Sequence, residues 1–396
     1  MNDENKTINA ALLSKGVKMP QPDTVYVAPD VNPDRISPQT TLQPGCRLSG
    51  ADLSIGPDTE LGREGPVTLI NCQLGARVQL AGGFFENAVF LDDVAIGADA
   101  HVRPGTLLEE QVTCGHAVGL KQTLMLSYVT TGSLINFCDC AMTGGTSRKN
   151  HSEVGSSYVH FNFSPSQDKA TASFMGDVPH GVMLDQAPIF LGGQGGLVGP
   201  ARVAFGTVVA AGSILRGDVL EPNRLIATAP PVVDRPFEPG ACPNIARKSL
   251  NNQRYIANLC ALRAWYHHVR APFFARSPSG LACGEGAQHA LRLMCRERIQ
   301  RAQRWADALP DSPKTQNAAE RQNALQTWQA MPALADHDNV VDIAADARQA
   351  FTQAAGDPDA AETILDFIHQ LTPEARTLGT AWLQTIVDTI ATPASD

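Results

Sequence analysis

The chain has 396 residues, of which 43% are hydrophobic, and a formal net charge of −9 at pH 7. This length accommodates two or three domains, and the apolar content is sufficient to fill their cores. The negative charge argues against a nucleic-acid partner, because binding to a phosphate backbone needs a basic surface.

No signal peptide or membrane-spanning segment is expected from the sequence. The N-terminal stretch MNDENKTINAALLSKG has no apolar core of the secretory type, and no later run is apolar enough to cross a membrane. The nine cysteines stand at irregular spacings, which is typical of reduced thiols in protein cores. We therefore predict a cytoplasmic protein without a membrane partner.

Residues 1–24 are polar and predict an N-terminal arm. From about Val25 to Val219 the sequence follows a six-residue rule, with an aliphatic residue, a small or polar residue and then turn formers, as in IGADAH followed by VRPGTL. Residues 25–235 are assigned to the domain built from these hexads. Each hexad predicts one short strand with its aliphatic residue inward and Gly or Asp at a corner of positive φ. Three hexads close a triangular coil, and stacked coils bury one another's aliphatic layers. We predict a mainly β fold, a left-handed parallel β-helix. A β-sandwich would alternate every two residues.

The pattern changes at the Pro- and Gly-rich segment RPFEPGACP, and residues 236–396 predict an α-helical domain. Ile256, Leu259 and Leu262 show the spacing of an apolar helix face. Pro310 and Pro373 are predicted to interrupt the later helices.

One stretch within the predicted β-helix departs from the hexads. Residues 150–177, NHSEVGSSYVHFNFSPSQDKATASFMGD, concentrate histidines, asparagines and aromatic residues without a clear period. In an extended segment His160 and Asn162 point to the same side, so both could face a substrate held between coils. The alternative is that His151 and His160 bond to their own loop, and the sequence leaves both interpretations open.

Three cationic residues of the predicted β-helix stand out: Arg103 in HVRPGTLLEE, Lys121 in VGLKQT and Lys169 in HFNFSPSQDK. Together with the late hexads IFLGGQGGLVGPARVAFGTVVAAGSILRGDV, they make residues 101–219 resemble a known domain. The domain that they resemble is the C-terminal acetyltransferase domain of the bifunctional N-acetylglucosamine-1-phosphate uridyltransferase/glucosamine-1-phosphate acetyltransferase. The resemblance implies a sugar-phosphate site in which the three cations hold phosphate.

The resemblance also implies the remaining site residues. The implied substrate-binding residues are Arg103, Lys121, Asn136, Asn162, Phe163 and Lys169, and the implied acyl-CoA groove is lined by Gly193 and Ala211. Proteins of this type are usually trimers with each site between neighbouring subunits, so we expect a homotrimer.

The sequence departs from the family at the catalytic position. Ser133 in GSLINF stands where the family has its catalytic histidine, and Asn136 stands where it has a tyrosine. A serine hydroxyl cannot take a proton from an attacking amine unaided. His160 and His151 are therefore candidate replacements for the base, with Ser133 as the third candidate catalytic residue. The late arginine of the family is replaced by Thr228.

A metal site and uridyl transfer are both disfavoured. Asp139, Cys138, His151 and His160 have suitable ligand types, but their spacing matches no metal motif, and no metal is predicted. No Gly-rich pyrophosphorylase loop is present, so uridyltransferase activity is not expected from this chain.

Three functional hypotheses follow. The first is a transferase for a phosphorylated or nucleotide-linked amino sugar, with acetyl-CoA or another acyl-CoA as donor. The second is a sugar-phosphate binding or regulatory module that has lost catalysis, and the third is a scaffold with a rigid β-helix. Fold analogy alone does not decide between them.

Overall fold

The computed structural model describes residues 3–159, 171–229, 244–309, 318–335 and 338–391, together with the single positions 232, 234 and 236. The chain forms a parallel β-solenoid of about 11 turns followed by a helical region, which confirms the predicted architecture. Among the described residues, no helix has the length and apolarity needed to span a bilayer.

The solenoid is triangular in section, and each side is a stack of short parallel strands that we number as faces 1, 2 and 3. Face 1 contains β1 (Tyr26–Val27), β3 (Arg47–Ser49), β6 (Val67–Ile70), β9 (Gly83–Glu86), β12 (Ala100–Val102), β15 (Val118–Met125), β17 (Ile135–Met142), β21 (Tyr158–Val159), β24 (Gly196–Leu197) and β27 (Ile214–Leu215). Face 2 contains β4 (Ser54–Ile55), β7 (Gln73–Leu74), β10 (Ala88–Phe90), β13 (Thr106–Leu108), the second halves of β15 and β17, β22 (Ser173–Met175) and β25 (Arg202–Val203). Face 3 contains β2 (Thr41–Leu42), β5 (Glu60–Leu61), β8 (Gln79–Leu80), β11 (Ala95–Ile96), β14 (Thr113–Cys114), β16 (Thr130–Thr131), β20 (Glu153–Val154), β23 (Phe190–Leu191), β26 (Val208–Val209) and β28 (Leu225–Ile226).

The hexads account for this geometry. On face 3, Leu61, Leu80 and Ile96 lie over one another in register, and all three are buried inside the solenoid. The corners are formed by residues with positive φ, among them Asp58 at 55° and Asp99 at 60°. A short polar side chain tolerates this conformation, so the turn residues of the hexads fix where each face ends.

The described chain leaves the coil pattern at two points near its middle. A two-stranded antiparallel hairpin, β18 (Gly145–Ser147) and β19 (Asn150–His151), protrudes between faces 2 and 3. One coil later the short helix α2 (Val178–Gly181) protrudes at the corresponding position.

The segment predicted to be a polar arm contains helix α1 (Asp3–Lys15) and packs onto the first coil. Leu12 is fully buried, and the side-chain amides of Asn5 and Asn9 both donate to the carbonyl oxygen of Val25. The helix therefore covers the apolar end of the solenoid, which would otherwise be exposed to water.

The helical domain follows the last coil and turns back along the solenoid. Its helices are α3 (Ile245–Trp265), which continues into a π-helical turn (Tyr266–Arg270), α4 (Ala271–Phe274), α5 (Pro278–Ala308), α6 (Ala318–Ala335), α7 (Ala345–Ala355), α8 (Ile364–Gln370) and α9 (Pro373–Ala391). Helix α5 lies across β4, β7, β10 and β13, so the domain covers face 2. Ile256, Leu259 and Leu262 are buried, as their spacing predicts.

A buried ionic cluster fastens the two domains together. Tyr266 donates a hydrogen bond of 2.8 Å to Glu109 Oε1, and Arg270 Nη1 lies 3.4 Å from Glu109 Oε2. Arg270 also pairs with Glu110, and the Ser127 hydroxyl oxygen lies 3.2 Å from an oxygen of each carboxylate, either of which can accept its proton. The carboxylates come from the solenoid and the arginine from the π-helical turn, so this cluster links distant parts of the sequence.

Candidate active site

Two of the predicted phosphate-binding cations lie together at the edge where face 1 turns into face 2, the 1–2 edge. Arg103 follows β12, and its Nη2 lies 3.8 Å from the sulfur of Cys138, two coils further on. Lys121 occupies the coil between them and is in register with Cys138. The spacing of these cations equals one coil, which is why the parallel stack brings them to the same edge.

The charges of this edge act on Cys138. Burial and the neighbouring Asp139 raise the pKa of the Cys138 thiol, whereas Arg103 and Lys121 lower it. Burial is the largest of these influences on the pKa, so Cys138 is a neutral thiol at neutral pH and adds no negative charge to this edge.

The helical domain reaches the same edge through Arg298 of α5. Arg298 is 1% exposed, and its Nη2 lies 2.9 Å from Asp139 Oδ1. Asp139 has a φ of 56° at the corner of β17. Burial raises the pKa of Asp139, and Arg298 and Arg301 oppose this rise. Asp139 therefore neutralises a buried arginine and helps to hold the corner that carries Cys138.

A second polar group lies at the edge where face 3 turns into face 1, the 3–1 edge. Ser133 follows β16, and its Oγ lies 2.7 Å from Nδ1 of His116 on the preceding coil. His116 is exposed and Ser133 is half-buried. Ser133, the candidate catalytic residue predicted from the sequence, thus lies within hydrogen-bonding distance of a histidine, a residue type that can accept a hydroxyl proton.

The outer surface of face 1 connects the two edges. Asn136 is exposed in β17 and lies in register with Gly119 of the neighbouring coil. Gly119 has no side chain to cover the strand, and His101 follows on the next coil of the same ladder. A small polar molecule on this surface could contact Asn136 while its two ends approached the two edges.

His151 is placed away from this surface. It precedes β20, whereas Ser133 follows β16, so the two side chains lie beyond opposite ends of a paired strand. The ring nitrogen Nδ1 of His151 lies 2.9 Å from the carbonyl oxygen of Arg148, within hydrogen-bonding distance in its own hairpin. Burial and Arg148 lower the pKa of His151.

Gly193 and Ala211 lie on adjacent coils of the 3–1 edge. The amide of Gly212 donates to the carbonyl oxygen of Gly193 at 2.9 Å, and a Cβ added to Gly193 would lie 3.5 Å from the Ser156 amide nitrogen. Ser133 lies on the coil below Ser156, so two coil spacings separate it from Gly193, or roughly 10 Å. The residues of the implied acyl-CoA groove and the Ser133–His116 pair therefore share one edge.

Four predicted site residues, His160, Asn162, Phe163 and Lys169, lie outside the described residues. Their proposed roles therefore remain predictions from the sequence. Within the described ranges, no group of three or more His, Cys, Asp or Glu side chains is arranged to hold a metal ion.

Two contributors to this region were not among the site residues predicted from the sequence, which favoured a structural role for His116. His116 could have been connected to Ser133 by counting coils, because hexads that stack in register place their corners over one another. Arg298 gave no such signal, since it comes from a helix whose position on the solenoid depends on tertiary packing.

The fold and these side chains define a hexapeptide-repeat β-helix protein with a cationic surface at one edge. The chain is similar to the bifunctional protein GlmU of Geotalea uraniireducens, with 30% identity over 231 residues, or 57% of this chain and 44% of that protein. Bifunctional protein GlmU of Trichlorobacter lovleyi is 30% identical over 227 residues, again 57% and 44% of the two chains.

A third relative is less similar in sequence. Bifunctional protein GlmU of Thermotoga maritima is 26% identical over 209 residues, which are 52% of this chain and 41% of that protein. No protein-family model matches the chain. The matched region spans less than half the length of these relatives, and their similarity confirms the resemblance indicated by the sequence motifs.

Proposed function

We propose that this protein binds a phosphorylated or nucleotide-linked amino sugar on face 1 and transfers an acyl group to its amine from acyl-CoA. The observation that carries the proposal is the convergence of Arg103 and Lys121 on the 1–2 edge beside Cys138. Guanidinium and ammonium groups that share one edge suit the phosphate, and Asn136 lies between them and the 3–1 edge.

In this proposal the acyl-CoA donor binds along the 3–1 edge. Gly193 and Ala211 present backbone and small side chains there, which would let the extended pantetheine arm lie close to the coils. Lys169, Asn162 and Phe163 would complete the sugar-phosphate site.

We further propose a homotrimer in the cytoplasm. The described site residues lie on the outer surface of face 1 and along its two edges, so one chain contacts a substrate from one side only. A neighbouring subunit against face 1 would supply the opposite wall and exclude water from the reacting groups.

Calorimetric titrations with glucosamine 1-phosphate and acetyl-CoA, followed by an acetyl-transfer assay, test the proposal. Arg103→Met and Lys121→Met should each weaken sugar-phosphate binding by roughly ten- to a hundred-fold, because a charged hydrogen bond contributes about 1.5–3 kcal/mol. Arg47→Met is the matched control, since Arg47 is exposed on face 1 several coils away.

The pattern of binding separates the possible outcomes. Binding of both ligands with turnover is expected. Binding of the sugar phosphate without acetyl-CoA binding or turnover would contradict the transferase, and failure of both ligands to bind would overturn the proposed site.

A further inference from the structure

We propose that Ser133 and His116 form a nucleophile–base pair and that the acyl group passes through an ester on the Ser133 oxygen. This inference rests on the proposed function, because it specifies the route by which the acyl group leaves the donor. The starting observation is the distance of 2.7 Å between Ser133 Oγ and His116 Nδ1.

The backbone holds both residues of the pair in place. The amide of Leu134 donates to the carbonyl oxygen of His116 at 3.1 Å, which ties the two corners to each other. The amide of Gly132 donates to Val154 at 2.7 Å, and that of Gly115 donates to Thr131 at 2.9 Å. Because the pair stands on the hydrogen-bonded coils of a solenoid and not on a free loop, its geometry is preorganised.

Gly115 provides the space that the hydroxyl occupies. A Cβ added to Gly115 would lie 2.6 Å from Ser133 Oγ and 2.7 Å from the Ser133 amide nitrogen, which is closer than real contacts allow. Any larger residue at 115 would displace the hydroxyl from the imidazole. The absence of a side chain at this corner is therefore a structural requirement of the Ser133–His116 contact.

The pair is accessible to an acyl donor. Leu134, the next residue, is 65% exposed and offers an apolar surface beside the hydroxyl. Gly193 and Ala211 continue the same 3–1 edge above it. A thioester whose CoA portion lay along that edge could bring its carbonyl carbon to Ser133.

The acyl transfer needs only the thioester donor, the acceptor amine and the Ser133–His116 pair. The Ser133 oxygen attacks the thioester carbonyl carbon, its proton moves to His116 Nδ1, the carbon–sulfur bond breaks, and His116 returns the proton to the departing thiolate. The amine of the acceptor sugar then attacks the serine ester. A carbon–nitrogen bond forms, the carbon–oxygen bond breaks, and a proton from the amine returns to the serine oxygen through His116.

Intact-mass measurement and peptide mapping of the full chain test this route. Incubation with p-nitrophenyl acetate, and separately with acetyl-CoA, is expected to add one acetyl group to the peptide that contains Ser133. Ser133→Ala should abolish this label, and His116→Asn should slow its formation by roughly a hundred-fold or more, the usual contribution of a general base. Ser133→Cys should carry the acetyl group on the new thiol, which shows that the site is intact.

Ser156→Ala is the matched control, because Ser156 lies one coil away on the same edge and no histidine among the described residues bonds to its hydroxyl. The label of this variant should equal that of the unaltered chain. A label on another residue, or one insensitive to His116→Asn, overturns the inference. Acetylation of glucosamine 1-phosphate by Ser133→Ala at the full rate overturns the inference and leaves the proposed function intact. A serine label without sugar-phosphate binding leaves the inference intact and contradicts the proposed substrate.

Discussion

We expect Arg270→Met to weaken the contact between the helical domain and the solenoid, and to lower the unfolding free energy more than any substitution of an exposed residue. The side chains of Arg270, Glu109 and Glu110 are 2%, 3% and 10% exposed, so the variant leaves two carboxylates buried without their cation. Breaking a buried ion pair at one partner costs about 3–5 kcal/mol of unfolding free energy. Methionine retains much of the side-chain volume, so most of this loss is electrostatic.

The loss should depend on pH. Burial raises the pKa of Glu109, and Arg270 is the largest opposing influence. Removing the arginine raises this pKa further. A carboxyl group with a raised pKa stabilises the fold below its unfolded-state pKa, and that stabilisation disappears as pH rises through the folded-state pKa. The deficit of Arg270→Met should therefore be smaller at pH 5 than at pH 8.

Urea denaturation followed by tryptophan fluorescence measures the effect, because all four tryptophans lie in the helical domain. Combining Arg270→Met with Glu109→Gln and Glu110→Gln should recover most of the lost stability, since amides carry no charge and can still accept from Tyr266. Arg63→Met is the control, because the ion pair of Arg63 is exposed and should contribute less than about 1 kcal/mol. A deficit that is independent of pH, or that the amide substitutions do not reduce, would refute the electrostatic explanation.

Three further predictions concern other contacts. Arg298→Met should lower the unfolding free energy by roughly 3–5 kcal/mol, and Asp139→Asn in the same chain should restore much of it, as measured by urea denaturation; an equal loss in the double variant would contradict this. Gly83→Ala should cost more than about 2 kcal/mol, because Gly83 has a φ of 132° and an added Cβ would lie 2.2 Å from the Ala100 oxygen. Gly65→Ala is its control, since an added Cβ there meets no atom within 4 Å. Cys283 should resist thiol reagents at neutral pH until urea detaches the helical domain, because burial raises the pKa of its thiol; rapid labelling of the folded chain would contradict this.

The sequence determined the solenoid and part of the candidate site. A hexad is a local rule, because one inward residue and one corner conformation repeat along the chain, so the coils follow without knowledge of distant contacts. The resemblance, and not the hexad rule, grouped Arg103 with Lys121; they lie one coil apart, and the register of β15 with β17 places Cys138 beside them.

Tertiary structure decided what the rest of the chain contacts. The spacing of Ile256, Leu259 and Leu262 predicted which side of a helix is apolar, but any apolar surface could have covered it. Only the folded chain places α5 along face 2 and brings Arg298 to Asp139. These partners come from segments with unrelated repeats, and no local pattern encodes the pairing.

The contact between His116 and Ser133 also depends on the three-dimensional structure. Counting hexads gives the corner on which His116 lies. It does not give the direction of the imidazole ring, which depends on the side chains packed around it. The hydrogen bond to Ser133 arises because Gly115 leaves space between two stacked corners. The resemblance therefore predicts that a base is missing at Ser133, and the packing of neighbouring coils places His116 beside this serine.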